Sequence, residues 1–343
     1  MCSSILSFAY EASRPVDLPA ILKHELLPVP ISLAEMNGML RTGNKSILAE
    51  KLTKDIVCPE AIDLSEELII QAPDGKEIVV GGGFREEHEV RSSRSTTDLS
   101  QLKATHEEAD TRMVLHAVHS QHNTVVVSSK DTDVLVLLLS HFQHIHCEHL
   151  WMLTGTAKKP RYIQIGAVFN NLPTDSATNL LPFHALTGCD TTSYFANHTK
   201  KSAWKTFIEH HGLLSNLGIG TLTETTTRSV EKFVCRMYDV LSADSVDAAR
   251  LVLFCKAGKP EAMSPTSDAL KFHLMRVHYQ TMVWRYALNA TPELPSPVSM
   301  GWKRLDSGLQ PILIRVVVEA GTSETKTETE TWVAETKTET EAF

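Results

Sequence analysis

Three short segments carry carboxylates at spacings that suit metal chemistry. Thr105-His106-Glu107-Glu108-Ala109-Asp110 stands where a helix is expected to begin. Ser129-Lys130-Asp131-Thr132-Asp133 follows a β-branched run, and Thr187-Gly188-Cys189-Asp190-Thr191-Thr192 ends an apolar helical stretch. In a parallel α/β sheet the loops that follow the strands gather at one edge, which is where such sheets bind ligands. Carboxylates held close together repel one another unless something neutralises them. A pair of divalent cations would do so. Hard oxygen donors suit Mg²⁺ or Mn²⁺, and two such ions roughly 4 Å apart can clamp a phosphodiester for in-line attack by water. Each segment also has a plain structural account. Thr105-x-x-Glu108 has the form of a capping box, Asp131 and Asp190 can each be an N-cap, and Asp133 can sit favourably in the dipole field of a helix start.

The elements that must position these residues are legible in the middle of the chain. Residues Thr105 to Gln121 place Ala109, Met113 and Ala117, with Val114 and Val118, at helical spacing. Thr124-Val125-Val126-Val127 is a β-branched run of the kind buried on both faces of a sheet. Asp131 to Phe142 is apolar enough for strand or helix; helix is expected, because a strand has just ended. Leu150 to Leu153 and Tyr162 to Ile165 read as short strands. Ala177 to Leu186, Lys200 to His211, Ser229 to Leu241, Val246 to Cys255 and Ser267 to Leu288 read as helices. Strands alternating with helices, then helices alone, predict an α/β sheet domain with a helical C-terminal part.

The flanks carry weaker patterns. Pro15, Pro19, Pro28 and Pro30 punctuate an extended opening, and Ser46 to Lys54 reads as a short helix. Glu77 to Val80 reads as a strand between the turn Pro73-Asp74-Gly75 and the run Gly81-Gly82-Gly83. The polar stretch Phe84 to Lys103 is expected to be a surface loop. Residues 291–343 begin as a Pro-containing loop and end in two copies of Glu-Thr-Lys-Thr-Glu-Thr-Glu, at 324–330 and 335–341, a composition expected to be disordered. The expected divisions are an N-terminal segment (1–60), an α/β core (61–215), a helical part (216–290) and the loop and acidic tail (291–343).

Composition narrows the function classes. The chain has 343 residues and a formal charge of −8, of which the seven Glu and two Lys from Glu319 onward supply −5. The body is nearly neutral and has no global basic field of the nucleic-acid-binding kind. Its longest unbroken apolar run, Val134 to Leu139, is far shorter than a bilayer span. The N-terminus lacks the basic and apolar regions of a signal peptide. Six scattered Cys without a CxxC pair read as reduced thiols. The expectation is an intracellular protein without a membrane segment.

The order Glu108-x-Asp110, Asp131-x-Asp133, Gly188-Cys189-Asp190 resembles the internal half of the flap-endonuclease/XPG branch of PIN-domain nucleases. More narrowly, the segments His106–Arg112, Asp131–Leu139 and Ala185–Ser193 resemble a group of animal proteins associated with mobile elements and repetitive gene families. The narrower resemblance covers most of residues 20–310; the link to flap-type nucleases rests on about five carboxylates. The resemblance implies a PIN-like parallel sheet flanked by helices. It implies Glu108, Asp110, Asp131, Asp133 and Asp190 as catalytic metal ligands for Mg²⁺ or Mn²⁺, and DNA or RNA as substrate. Lys200, Lys201 and Lys205 fall where these nucleases grip the phosphate backbone. The family also carries an Asp at the end of each of its first two core strands. Here Gly81-Gly82-Gly83 follows the segment corresponding to the second, and residues 1–75 offer no apolar, Asp-terminated first strand. The expected fold therefore lacks an N-terminal strand, and nuclease activity is expected to be weak or lost. A non-catalytic, partner-binding protein that keeps the fold is the alternative.

Other patterns are weaker. Asp131-Thr132-Asp133 after a strand also resembles the opening motif of haloacid-dehalogenase phosphatases, whose later Lys and acidic motif are not evident here. Cys255 with His273 and His278, and the group His141, His144, His146, Cys147 and His149, have zinc-ligand residue types without zinc-site spacing. Exposed loop imidazoles are the simpler account of the second group. Trp284 and Trp302 are expected to pack rather than to stack on bases.

Overall fold

A β-branched strand followed at once by a capped apolar helix fixes the centre of the first unit. In the computed structural model, which describes residues 77–81, 88–156, 159–195, 197–257, 263–305 and 308–312, the chain divides into two units. The first comprises the described residues up to Asn171 together with Ala287–Pro292; the second comprises the described residues of 172–286 and of 293–312. The helix expected over Ser46–Lys54, the divisions before residue 77 and the acidic tail lie outside the described residues.

In the first unit, β1 (Val79–Gly81) pairs antiparallel with β2 (Val90–Ser92). Helix α1 (Ala109–His119) leads to β3 (Thr124–Ser128), then to α2 (Thr132–Ser140), β4 (His149–Thr156), β5 (Lys159–Gln164) and α3 (Ile165–Asn170). β3 and β4 are parallel, with Val125 opposite Leu150 and Val127 opposite Met152; β4 and β5 are antiparallel. The unit is therefore mixed α/β, and its three-stranded sheet is parallel only between β3 and β4. This corrects the expected parallel sheet. The β4–β5 step is a direct antiparallel return, whereas a parallel neighbour needs a crossover of a dozen or more residues. The strand near Ile78–Val80 likewise joins β2, so part of the expected polar loop is a strand.

Burial explains why α2 was ambiguous by pattern alone. Val134, Val136, Leu137, Leu138 and Leu139 are all buried, so the helix shows no polar stripe. Its start is set locally: Asp131 is the N-cap and its Oδ1 accepts from the Asp133 N–H at 2.9 Å. Met113, Val114, Leu115 and Ala117 of α1, with Val125 and Val127 of β3, are buried in the same unit.

The second unit is built from helices. They are α4 (Leu180–Leu186), α5 (Lys200–His210), α6 (Glu224–Met237), α7 (Val246–Ala257) and α8 (Ser267–Arg285), followed by the antiparallel pair β6 (Trp302–Leu305) and β7 (Gly308–Pro311). Three of these helices have hydroxyl N-caps: Thr199, Thr223 and Thr266 accept from the backbone N–H of Ser202, Thr226 and Ala269. The Thr223 cap starts α6 at Glu224, earlier than the expected Ser229. Phe183 is the hub of the aromatic core, 4.6 Å from Phe207, 5.8 Å from Trp204 and 6.4 Å from Phe233 by ring centroid. Trp284 is buried against His184, as packing predicts. Trp302 lies under the guanidinium of Arg276, 5.8 Å from its ring centroid. Among the described residues no helix is long and apolar enough to cross a membrane.

Candidate metal centre

The residues around β3 form a relay that delivers carboxylates to one place. β3 ends at Ser128, and the next residue still pairs with β4, through Ser129 N–H to Leu153 O at 3.0 Å. The Ser129 hydroxyl then accepts from Asp131 N–H at 3.0 Å, and Asp131 in turn caps α2. This places Asp131 at the helix cap and Asp133 in the first turn. Asp110 occupies the first turn of α1. One carboxylate oxygen from each of Asp110, Asp131 and Asp133 lies within 4.8 Å of the others. Asp131 is exposed, and the other two are half-buried. Among the described residues, no other group of three or more His, Cys, Asp or Glu side chains converges in this way.

The entry to α1 is fixed from outside the helix. Thr105 N–H donates to Ala290 O at 2.8 Å, and the His106 ring Nε2 is 2.6 Å from Asn289 O. His106 O accepts from Arg112 Nε at 2.8 Å. The predicted capping box does not form, because helix α1 starts at Ala109 and its N-cap is Glu108, which makes no side-chain capping bond. Thr105 is instead held four residues upstream by the 289–290 backbone. Glu108 is therefore the helix's N-cap residue and stands outside the converging trio.

Charge arithmetic bears on what the trio can hold. Each helix N-terminus carries about half a positive charge, so the starts of α1 and α2 together offset about one of three carboxylate charges. Roughly two negative charges remain, the charge that one divalent cation matches. The donors fit such an ion by type, being hard carboxylate oxygens, with the remaining positions left to water. Asp131 meets the requirement only in part, because its Oδ1 is already engaged by the cap.

Asp190 belongs to the second unit. It does not cap a helix, contrary to one expectation, but lies exposed in a tight turn. There Cys189 and Thr192 exchange backbone hydrogen bonds at 3.3 and 3.2 Å. The turn is heavily tied down. The Thr192 hydroxyl donates to Ala185 O at 2.6 Å, and the Thr191 hydroxyl donates to Gln280 Oε1 at 2.7 Å. Gly188 has φ +104°, and a Cβ there would meet the Tyr194 side chain at 2.9 Å, so glycine is required. The Lys200 ammonium donates to His184 O at 2.8 Å, to the Thr187 hydroxyl at 3.2 Å and to Gly188 O. It thus satisfies carbonyls at the C-terminus of α4, a role that residue type did not reveal. Lys201 and Lys205 are exposed.

The zinc readings find no support in these positions. His273 is buried with Nε2 2.9 Å from Leu186 O, and His278 sits between Gly218 N–H and Gly220 O, whereas Cys255 is exposed. In the other group His144, His146 and His149 are exposed as expected, but His141 is buried. The described cysteines Cys147, Cys189, Cys235 and Cys255 are free thiols. No protein-family model, curated protein or solved structure matches the chain.

Proposed function

We propose that the first unit is a PIN-like, flap-endonuclease-related domain that binds Mg²⁺ or Mn²⁺ through Asp110, Asp131 and Asp133. Its ancestral chemistry is metal-dependent hydrolysis of phosphodiesters in DNA or RNA, weak or lost in this chain. The observation that carries this reading is the convergence of three carboxylates from two helix starts, with oxygens within 4.8 Å. Glu108 and Asp190 complete the ligand set only by resemblance. When bound, a divalent ion supplies charge neutralisation and a more acidic water. The protein's own part is to hold the oxygens, which the Ser129–Asp131–Asp133 relay and the pinned entry of α1 do. Three carboxylates without the Asp residues expected at two earlier strands hold an ion loosely, and catalysis of this kind depends on fixed geometry.

The alternative is a non-catalytic protein that keeps the fold. The cap bond of Asp131 favours it, since capping alone gives that residue a purpose. Titration with Mn²⁺, followed by electron paramagnetic resonance, separates the two. The metal reading expects specific uptake that falls at least tenfold in Asp131→Asn, a variant that keeps an oxygen for the cap. Asp131→Ala should also lose about 1 kcal/mol of stability with the cap. No specific uptake by the natural chain would leave the structural alternative. Robust cleavage of flap, single-stranded or duplex substrates with Mg²⁺, abolished in Asp131→Ala/Asp133→Ala, would show that the expected loss of activity is wrong.

A further inference from the structure

Helix α7 is apolar on both sides, although the second unit buries only one of them. Nine of its twelve residues are apolar, so no broad polar face is left; Asp247, Arg250 and Lys256 are its only charges. A helix that is apolar all round belongs in an interior. Here Val246 and Ala249 are buried, whereas Leu251 is 65% and Phe254 56% exposed. At about 100° per residue, Asp247, Arg250, Leu251 and Phe254 share roughly 100° of the helix surface, and Lys256 stands on the other side. With Met263, these four residues line a shallow, open groove. Both charged side chains are anchored at its rim. Asp247 Oδ1 accepts from Ser267 N–H at 3.0 Å, and Arg250 Nη1 donates to Ser264 O at 2.6 Å. Among the described residues no ion pair joins Asp247 to Arg250.

The charges on this face are complementary to themselves. One acid and one base stand three residues apart. When two copies of α7 cross antiparallel about a two-fold axis between Ala248 and Ala249, each Asp247 lies opposite Arg250 of the other copy. The alanines at the crossing let the helices approach closely, and opposed helix dipoles favour the antiparallel sense. A two-fold contact sets the same patch against itself, and this patch carries no net charge to repel its own copy. A lipid surface would call for cations flanking the apolar residues, but Lys256 is on the far side. A strongly charged partner would meet one charge of each sign. We infer that the outward face of α7 is covered by a second copy of this chain, in an antiparallel two-fold dimer. Leu251 and Phe254 pack across the axis, and two Asp247–Arg250 pairs fix the register. Two large exposed side chains per copy make a small interface of the weak, reversible class, with a Kd of roughly 10–100 µM. The contact needs no metal, so it stands or falls separately from the metal reading.

The test is sedimentation velocity with the full chain, in EDTA and under reducing conditions because Cys255 is exposed on the same helix. Between about 1 and 200 µM the natural chain should pass from monomer to dimer. Leu251→Ser/Phe254→Ser, at exposed positions, should weaken dimerisation at least tenfold with an unchanged far-ultraviolet circular dichroism spectrum. Asp247→Arg and Arg250→Asp each set like charges opposite one another in a homodimer, and each should weaken it about tenfold. An equimolar mixture of these two variants pairs opposite charges at both contacts and should recover the dimer. This recovery requires folded chains and the antiparallel register, so it separates the proposal from a variant that merely fails to fold. A natural chain that stays monomeric throughout overturns the proposal, whether or not it then sediments with added phosphatidylcholine/phosphatidylserine vesicles. So does a dimer that Leu251→Ser/Phe254→Ser leaves intact, or a mixture of the charge variants that dimerises no better than either alone.

Discussion

At the scale of single residues, the buried imidazoles set a pH dependence. Burial pushes His273 down to about 4, against an opposing pull from Leu186 O and with a further push from Arg276. In the unfolded chain the same ring titrates near its ordinary 6.5, so over the interval between these values the unfolded state binds the extra proton. The stability that this neutral imidazole contributes is therefore complete above pH 6.5 and is lost as pH falls towards 4. From pH 7 to pH 5 the loss is about 2 kcal/mol from this residue. His116 in the first unit behaves alike, pushed down to about 4 by burial and by neighbouring Arg112 and His119. Urea denaturation at the two pH values should show His273→Gln losing less stability on acidification than the natural chain, by about 2 kcal/mol. An unchanged difference would mean that His273 is not the titrating group.

At the scale of elements, the link between α4 and α5 is a cation placed against a helix C-terminus. The last carbonyls of a helix have no partners within it, and the C-terminal pole is negative. Lys200 meets both needs by reaching His184 O and Gly188 O across the turn that carries Asp190. Hydrogen bonds to a charged donor are worth about 1.5–3 kcal/mol. Lys200→Met should lower the stability of the chain by about that amount in urea denaturation, whereas Lys201→Met and Lys205→Met should stay within about 0.5 kcal/mol. Equal effects at all three positions would mean that the bonds of Lys200 contribute nothing particular. Tyr194 beside Gly188 makes the same turn intolerant of a side chain at 188.

At the scale of the whole molecule, the first unit is discontinuous in sequence. Ala290 O and Asn289 O, which come after α4 to α8 of the second unit, hold Thr105 and His106 at the entry of α1. That entry carries Asp110 to the trio. A fragment ending at residue 171 lacks these acceptors and leaves a buried imidazole without its partner. It should therefore show weaker hydrogen-exchange protection over α1 than the full chain, and weaker Mn²⁺ uptake wherever the full chain shows uptake. Full protection of α1 in the fragment would show that the 287–292 segment is dispensable.

The sequence by itself determined the elements whose causes are local. The β-branched run 124–127 became β3. The apolar run after it was expected to be a helix because a strand had just ended, and Asp131 opens that helix, since a cap acts over two or three residues whatever surrounds it. It also placed two acidic pairs at helix starts, from which Asp110, Asp131 and Asp133 meet. Tertiary structure decided what depends on distant partners. Thr105 has the sequence of a capping residue, but its N–H is taken by Ala290 O, 185 residues later in the chain. β5 returned antiparallel beside β4, and Ile78–Val80 turned to β2, because strand pairing is chosen by neighbours and not by the strand's own pattern. Lys200 reads from sequence as a surface cation, and only the folded position of the α4 carbonyls makes it a cap.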